Sequence, residues 1–160
     1  TVDYAKDIIG ENEIVKYESC SAAEPENLLK SAIVKKLFGN NHKVTIGFNG
    51  ICYFLTDEQV SHAMKVLYEW ADEGSILFFS DYDGENLTEE FQSIINLYKN
   101  MNQPLYFRPK DKIKEIIKPW KIEDPGFLSL DKWIELSTTV IDESIKKLGG
   151  GGPFGGFLTK

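Results

Sequence analysis

Two hydrophobic periods alternate along the chain. Val2, Ala5, Ile8 and Ile9, separated by Asp3, Lys6 and Asp7, recur at helical spacing and stop at Gly10, which predicts a short amphipathic helix. From Glu13 to Ser19 the period shortens, with Ile14, Val15 and Tyr17 among charges, the pattern of a strand. Ser21-Ala22-Ala23-Glu24-Pro25 ends it and leads into a helix over Glu26 to Phe38, with proline at the entry. The order then repeats. Val44 to Phe48 reads as an apolar strand ending at Asn49-Gly50. Thr56 caps a helix to Trp70, with Asp57 and Glu58 in the first turn where carboxylates meet the positive end of the helix dipole. Ser75 to Ser80, apolar through Ile76-Leu77-Phe78-Phe79, predicts a strand covered on both faces. Leu87, Phe91, Ile94, Ile95 and Tyr98 mark a helix over Leu87 to Asn100.

After Pro104 the texture changes to an extended Leu105 to Phe107, a helix from Pro109 to Ile117, a strand around Lys121 to Asp124 and a helix from Leu130 to Leu148. Gly149 to Pro153 reads as a flexible hinge, and Phe154 to Thr159 as a last strand returning antiparallel to the sheet edge. Strands alternating with helices predict an α/β domain with a mostly parallel sheet, occupying residues 1–160 as one unit.

Composition narrows the partners. A chain of 160 residues buries roughly 70% of its unfolded surface and needs no staple. Cys20 and Cys52, with His42 and His62, have no zinc-site spacing. A net charge of −7, from 25 acidic and 18 basic residues, repels a phosphate backbone and leaves a small molecule or a protein as the expected partner rather than nucleic acid. The apolar runs Ile51 to Leu55 and Ile76 to Phe79 fall far below the roughly 20 residues that span a bilayer. No membrane association is expected, and the location is expected to be cytoplasmic.

In an open α/β sheet the ligand crevice lies beyond the carboxyl ends of the strands. Three sets of residues qualify: Cys20-Ser21-Ala22, Asn49-Gly50 with Tyr53, and Ser80-Asp81-Tyr82-Asp83. Asn49-Gly50 either lets backbone and amide approach a ligand or makes a tight turn. Asp81 and Asp83 either orient a polar substrate or form a solvated turn beside Gly84. Tyr98, Tyr106, Phe107 and Trp133 line a pocket or fill the core. Arg108, the sole arginine, pairs with a substrate carboxylate or with a neighbouring acid. Gly150-Gly151-Gly152-Pro153-Phe154-Gly155 satisfies G-x-G-x-x-G, yet it neither follows a strand nor opens a helix, so a hinge before an edge strand is the better reading.

Several pieces recur together in one order: Val44 to Phe54 with its Tyr53-Phe54 pair, Gly74 to Ser80, and Tyr98 to Arg108 with Pro104. Pro125-Gly126, Trp133 and the terminal Gly155-Gly156-Phe157-Leu158-Thr159-Lys160 follow. In that order and spacing the chain resembles the C-terminal part of a class I S-adenosylmethionine-dependent methyltransferase, of a subgroup with mostly unassigned substrates. The resemblance implies a Rossmann-like sheet with an antiparallel C-terminal strand. Thr1 to Ile9 would be the helix after the second strand, and Val15 to Ser19 would be the third strand. Val44 to Asn49 and Ser75 to Ser80 would be the fourth and fifth. It further implies S-adenosylmethionine as cofactor, adenine contact at Cys20, Ser21 and Ala22, and methionine contact at Asn49 and Gly50. Ser21 stands where the family often has Asp. A small-molecule methyl acceptor would meet Tyr53, Asp81, Tyr98 and Arg108. The glycine loop and ribose-binding acid of the family would precede Thr1, so the isolated chain is expected to be inactive and to pair with that N-terminal part. The alternative is a non-catalytic module whose open sheet edges form a homodimer.

Overall fold

The computed structural model describes residues 2–133 and 151–160. The chain begins with α1 (Val2–Ile9), α2 (Pro25–Leu29), α3 (Ala32–Phe38) and β1 (Thr45–Asn49). A single 3-10 turn at Cys52–Phe54 leads to α4 (Asp57–Trp70), β2 (Ile76–Asp83) and α5 (Glu89–Asn100). Next come α6 (Lys110–Ile116), β3 (Lys121–Ile122), β4 (Leu128–Ser129), α7 (Leu130–Trp133) and β5 (Gly152–Thr159).

One sheet runs in the order β1-β2-β5-β3, with β4 also on β5. β1 and β2 are parallel, Thr45 opposite Ile76 and Asn49 opposite Ser80. β2 and β5 pair antiparallel along their whole lengths, from Ile76 opposite Thr159 to Asp83 opposite Gly152. The returning strand is antiparallel as expected, but it lies inside the sheet, between β2 on one side and β3 and β4 on the other, rather than at its edge. Among the described residues β1–β2 is the one parallel strand pair, with an isolated parallel bridge between Asp83 and Arg108 beside it, and the third strand expected at Glu13 to Ser19 is absent. There Asn12 turns the chain back on itself: its Oδ1 accepts from the N–H groups of Ile14 and Val15, both at 2.8 Å, and its own N–H donates to the Val15 carbonyl. A side chain that captures local backbone donors competes with a sheet ladder. Ile14 is left 86% exposed.

Local chemistry explains the other boundaries. Thr56 and Gln59 form a reciprocal capping box, the Gln59 N–H donating to Thr56 Oγ1 at 3.3 Å and the Thr56 N–H to Gln59 Oε1 at 2.9 Å. From that start, α4 buries Val60, Ala63, Met64 and Leu67 at helical spacing. The helix expected over Glu26 to Phe38 is divided, because the Ser31 hydroxyl accepts from Val34 N–H and caps α3 as a new helix. α5 starts later than its apolar pattern, at the Thr88 cap. The helix expected from Leu130 is observed to Trp133, and the rest of it lies outside the described residues. β5 begins at Gly152, so Gly152 and Pro153 belong to the strand, while Gly149 and Gly150 lie outside the described residues.

The core sits between one sheet face and helices α4 and α6. Leu77 and Phe79 of β2 and Phe154 and Leu158 of β5 are fully buried against Val60, Met64, Ile113 and Ile117. Each such side chain contributes about 1.5–3 kcal/mol by leaving water. Trp120 closes this layer, its indole N–H donating to the Met64 carbonyl at 2.9 Å. On the opposite face Phe78, Trp133 and Phe157 pack edge to face, and Trp133 donates to the Gly155 carbonyl at 2.7 Å. A Cβ on Gly155 would lie 2.9 Å from both Leu130 and Phe78, and one on Gly156 would lie 2.8 Å from Phe127. The terminal glycine pair therefore lets these side chains close over β5.

Candidate functional site: an aromatic cleft beyond β1 and β2

At the carboxyl end of β1 the chain turns through Gly50, whose φ of +62° lies in the left-handed region that glycine adopts without strain. The Gly50 N–H donates to the Ser80 carbonyl at 3.1 Å, which holds the turn against β2. The 3-10 turn then swings the Tyr53 ring back, so that its hydroxyl lies 3.6 Å from where a Gly50 Cβ would stand. Asn49 is exposed here, and its side-chain amide has no hydrogen-bond partner among the described residues.

Around Tyr53 a cleft of about 260 Å³ opens. Tyr53 and Phe54 from the turn and Tyr82 from β2 line it. Phe91, Ile94 and Tyr98 from α5, with Leu105 and Phe107 from the extended segment after it, complete the lining. Phe107 stacks on Tyr53 with centroids 5.5 Å apart and meets Phe91 edge to face at 4.8 Å. The segment is held by the Tyr106 N–H, which donates to the Tyr53 carbonyl at 2.7 Å, and by the Gly84 N–H, which donates to the Arg108 carbonyl at 2.9 Å. Gly84 makes this approach possible: a Cβ there would lie 2.7 Å from backbone atoms of Phe107 and Arg108.

Beneath the turn lies a buried polar cluster. Arg108 is 4% exposed and donates through Nε to Asp57 Oδ1 at 2.5 Å. It donates through one terminal nitrogen to the carbonyls of Cys52 at 3.1 Å and Tyr106 at 2.9 Å, and through the other to the Leu55 carbonyl. Arg108 is expected in the substrate pocket; in the structure four of its five donors are held by the protein itself. Hydrogen bonding from Arg108 holds the Asp57 carboxyl below its usual range, partly opposed by burial and reinforced by Lys112.

Of the two readings of Asp81 and Asp83, the structure rules out the solvated turn. β2 runs through both, and they are 3% and 5% exposed rather than on a solvated turn. Asp83 pairs with Lys110 at 3.1 Å. Asp81 accepts from the Tyr82 N–H at 2.9 Å through Oδ1, while Oδ2 has no partner among the described residues. Burial pushes its carboxyl up to about 6, against the pull of the Tyr82 N–H and the Arg108 charge. The Cys52 thiol is pushed up by burial first and then by Asp81. The Tyr53 phenol rises for the same reasons, with Tyr98 adding a third contribution.

Of the residues expected at the site, Tyr53 and Tyr98 share the cleft, and Asn49 and Gly50 stand at its β1 end. Asp81 and Arg108 lie under it. Cys20, Ser21 and Ala22 are not brought to a strand end: Cys20 and Ser21 are exposed in an irregular segment, the Ser21 hydroxyl accepting from Ala23 N–H, and Ala22 packs on the core. Tyr82, from the set after the third predicted strand, lines the cleft as well; Phe54, Phe91, Ile94 and Leu105 were not singled out as site residues by sequence, although the Phe91, Ile94, Tyr98 spacing on α5 marks the face that lines the cleft. Tyr106 and Trp133 point elsewhere, Tyr106 toward the Arg108 guanidinium and Trp133 onto Phe78. His42 stacks on Trp70 at 4.3 Å, and His62 pairs with Glu26 at 3.2 Å. Among the described residues no His, Cys, Asp and Glu cluster is placed to hold a metal, and no helix is long and apolar enough to cross a membrane.

No curated protein matches the chain in sequence. Among solved structures it is similar to a DUF574 family protein from Streptomyces avermitilis, at 19% identity and a TM-score of 0.74 over 90% of this chain and 54% of that one. It is similar also to a candidate methyltransferase from Thermobifida fusca, at 14% identity and a TM-score of 0.77 over 99% of this chain and 59% of that one. A SAM-dependent methyltransferase from Archaeoglobus fulgidus aligns at 17% identity and a TM-score of 0.53, over all of this chain and 73% of that one. The chain thus spans little more than half the length of the first two structures, which share its fold. A family model described as S-adenosyl methyltransferase matches residues 1–152. The chain belongs to the S-adenosyl methyltransferase family.

Proposed function

We propose that the chain supplies the acceptor side of a methyltransferase that uses S-adenosylmethionine to methylate a small molecule. The observation that carries this reading is the aromatic cleft beside Asn49 and Gly50, a concave site at the carboxyl ends of two parallel strands. S-adenosylmethionine, when bound, supplies an electrophilic methyl group: its carbon–sulfur bond breaks with the pair staying on sulfur, and an acceptor oxygen or nitrogen bonds the carbon and releases its proton to water. The free Asn49 amide and the left-handed Gly50 turn fit the polar methionine part of that cofactor. Cys20, Ser21 and Ala22, on an exposed irregular segment, do not form an adenine site by themselves. The chain's own contribution is orientation, since a nucleophile held in line with the methyl group needs little further help.

Cofactor binding, on this reading, draws on sequence outside these 160 residues, in keeping with the 54% and 59% spans. Titration calorimetry with S-adenosylhomocysteine tests it: a protein extended upstream binds, and the 160-residue chain binds far more weakly or not at all. An extended protein that shows no binding overturns the reading.

A second reading, a non-catalytic module that pairs with another chain, is favoured by two features. The outer edge of β1 has no strand partner among the described residues, and α1 leaves Tyr4, Ile8 and Ile9 64–70% exposed. A monomeric species in sedimentation velocity at every concentration tested would exclude homodimer formation.

A further inference from the structure

We infer, resting on the acceptor-site reading above, that the molecule methylated is a neutral, planar aromatic of one or two rings bearing a hydroxyl or amino group. Size sets the first limit. At about 260 Å³ the cleft is at or below the lower end of small-molecule sites, roughly 300–1,000 Å³, and holds a ring system rather than a long chain or a peptide.

The walls set the shape. Tyr53 and Phe107 lie at an interplanar angle of 19°, Phe91 stands at 78° to Phe107, and Phe54 leans on Tyr53 with centroids 4.6 Å apart. These rings pack on one another, and six of the eight lining residues are aromatic, so the ring surface left facing the cleft offers a flat aromatic guest a quadrupole partner that a saturated ring of equal size cannot match.

Charge excludes acidic guests. All eight lining residues are tyrosine, phenylalanine, isoleucine or leucine, so no lysine or arginine faces the cleft. The nearby Arg108 is committed to Asp57 and three carbonyls. The remaining charged neighbour acting on Tyr53 is the buried Asp81, with an unpartnered Oδ2. A carboxylate or phosphate on the guest would find repulsion and no counter-charge.

The polar handles set the orientation. Tyr53 and Tyr98 both line the cleft, and their hydroxyls have no hydrogen-bond partner among the described residues. Tyr53's hydroxyl lies at the Gly50 end. A guest with its ring against Phe91 and Phe107 therefore directs its hydroxyl or amino group toward Gly50, the side assigned to the methyl donor.

The test uses 2-naphthol, its carboxylate counterpart 2-naphthoate and the saturated decahydro-2-naphthol as probes, followed by amide chemical shifts of the labelled protein. Saturable shifts at Tyr53, Tyr98 and Phe107 with 2-naphthol are expected, with the other two probes at least about tenfold weaker. Ile94→Trp, at a rim position already 38% exposed and so tolerant in folding, should fill the cleft and weaken 2-naphthol at least about tenfold. Tyr53→Phe should weaken 2-naphthol while leaving the fold spectrum intact. Equal affinity for 2-naphthoate, shifts mapping outside the cleft, or no saturable binding each overturn the inference. A parallel S-adenosylhomocysteine titration of the extended protein separates the two claims. Cofactor binding without 2-naphthol binding defeats only the acceptor class; the absence of cofactor binding defeats the methyltransferase reading itself.

Discussion

Arg108 Nε and Asp57 Oδ1 lie 2.5 Å apart, the arginine side chain 5% exposed and the aspartate 39%. Asp57 opens α4, so this ion pair ties a helix N-terminus to the extended segment that walls the aromatic cleft. The same guanidinium gathers the carbonyls of Cys52, Leu55 and Tyr106. A planar fork of donors can do this; an ammonium group cannot.

Arg108→Lys should therefore lower stability by about 2–4 kcal/mol, because removing one partner of a buried network leaves carbonyls desolvated and unpaired. Urea unfolding measures this, and a loss below about 0.5 kcal/mol would show that the network is not what holds the turn. Acid should have its own effect. The Asp57 carboxyl titrates lower folded than unfolded, so its contribution is complete above the usual value of 3.8 and fades as pH falls below it. The Lys variant should lose part of that acid sensitivity.

Asp81 has the opposite sign. Its carboxyl titrates near 3.8 when unfolded and at about 6 when folded, so between those values the native state holds the extra proton. Stability falls as pH rises through that window and stays low above it. From pH 4.5 to 7.5 this single group should cost roughly 2 kcal/mol. Asp81→Asn should flatten the dependence and be more stable than the parent at pH 7.5. Urea midpoints across that range decide it; parallel slopes for parent and variant would refute the account.

Gly84→Ala should destabilise by about 1–3 kcal/mol, since the added methyl group meets backbone of Phe107 and Arg108 at 2.7 Å rather than a side chain that can rotate away. The segment after α5 would be displaced, so 2-naphthol binding should fall more than thermal stability. A variant with unchanged melting temperature and probe affinity would mean that the segment shifts freely.

How much of this was legible depended on how far apart the participating residues lie. The start of α4 was readable because Thr56 and Gln59 are three positions apart and complete their hydrogen bonds within one turn. β2 and the antiparallel β5 were readable from apolar runs. The Glu13 to Ser19 pattern misled, because alternation describes a strand only when an edge is there to receive it, and Asn12 offered a nearer acceptor. The α5 face of Phe91, Ile94 and Tyr98 was visible as spacing, but spacing alone does not distinguish a core face from a cleft wall.

The sequence by itself determined the strand-helix order from Val44 to Asn100, the Thr56 cap of α4 and the final strand, all of them products of periodicity and hydrogen bonds a few residues long. The tertiary structure alone decided what Arg108 binds, since Asp57 lies 51 positions away. It also buried Asp81 and Asp83, for which the sequence left a solvated turn open, and brought Tyr53 together with Tyr98 and Phe107 in one cleft. Burial and charge pairing are set by which distant segments meet, and only packing fixes that.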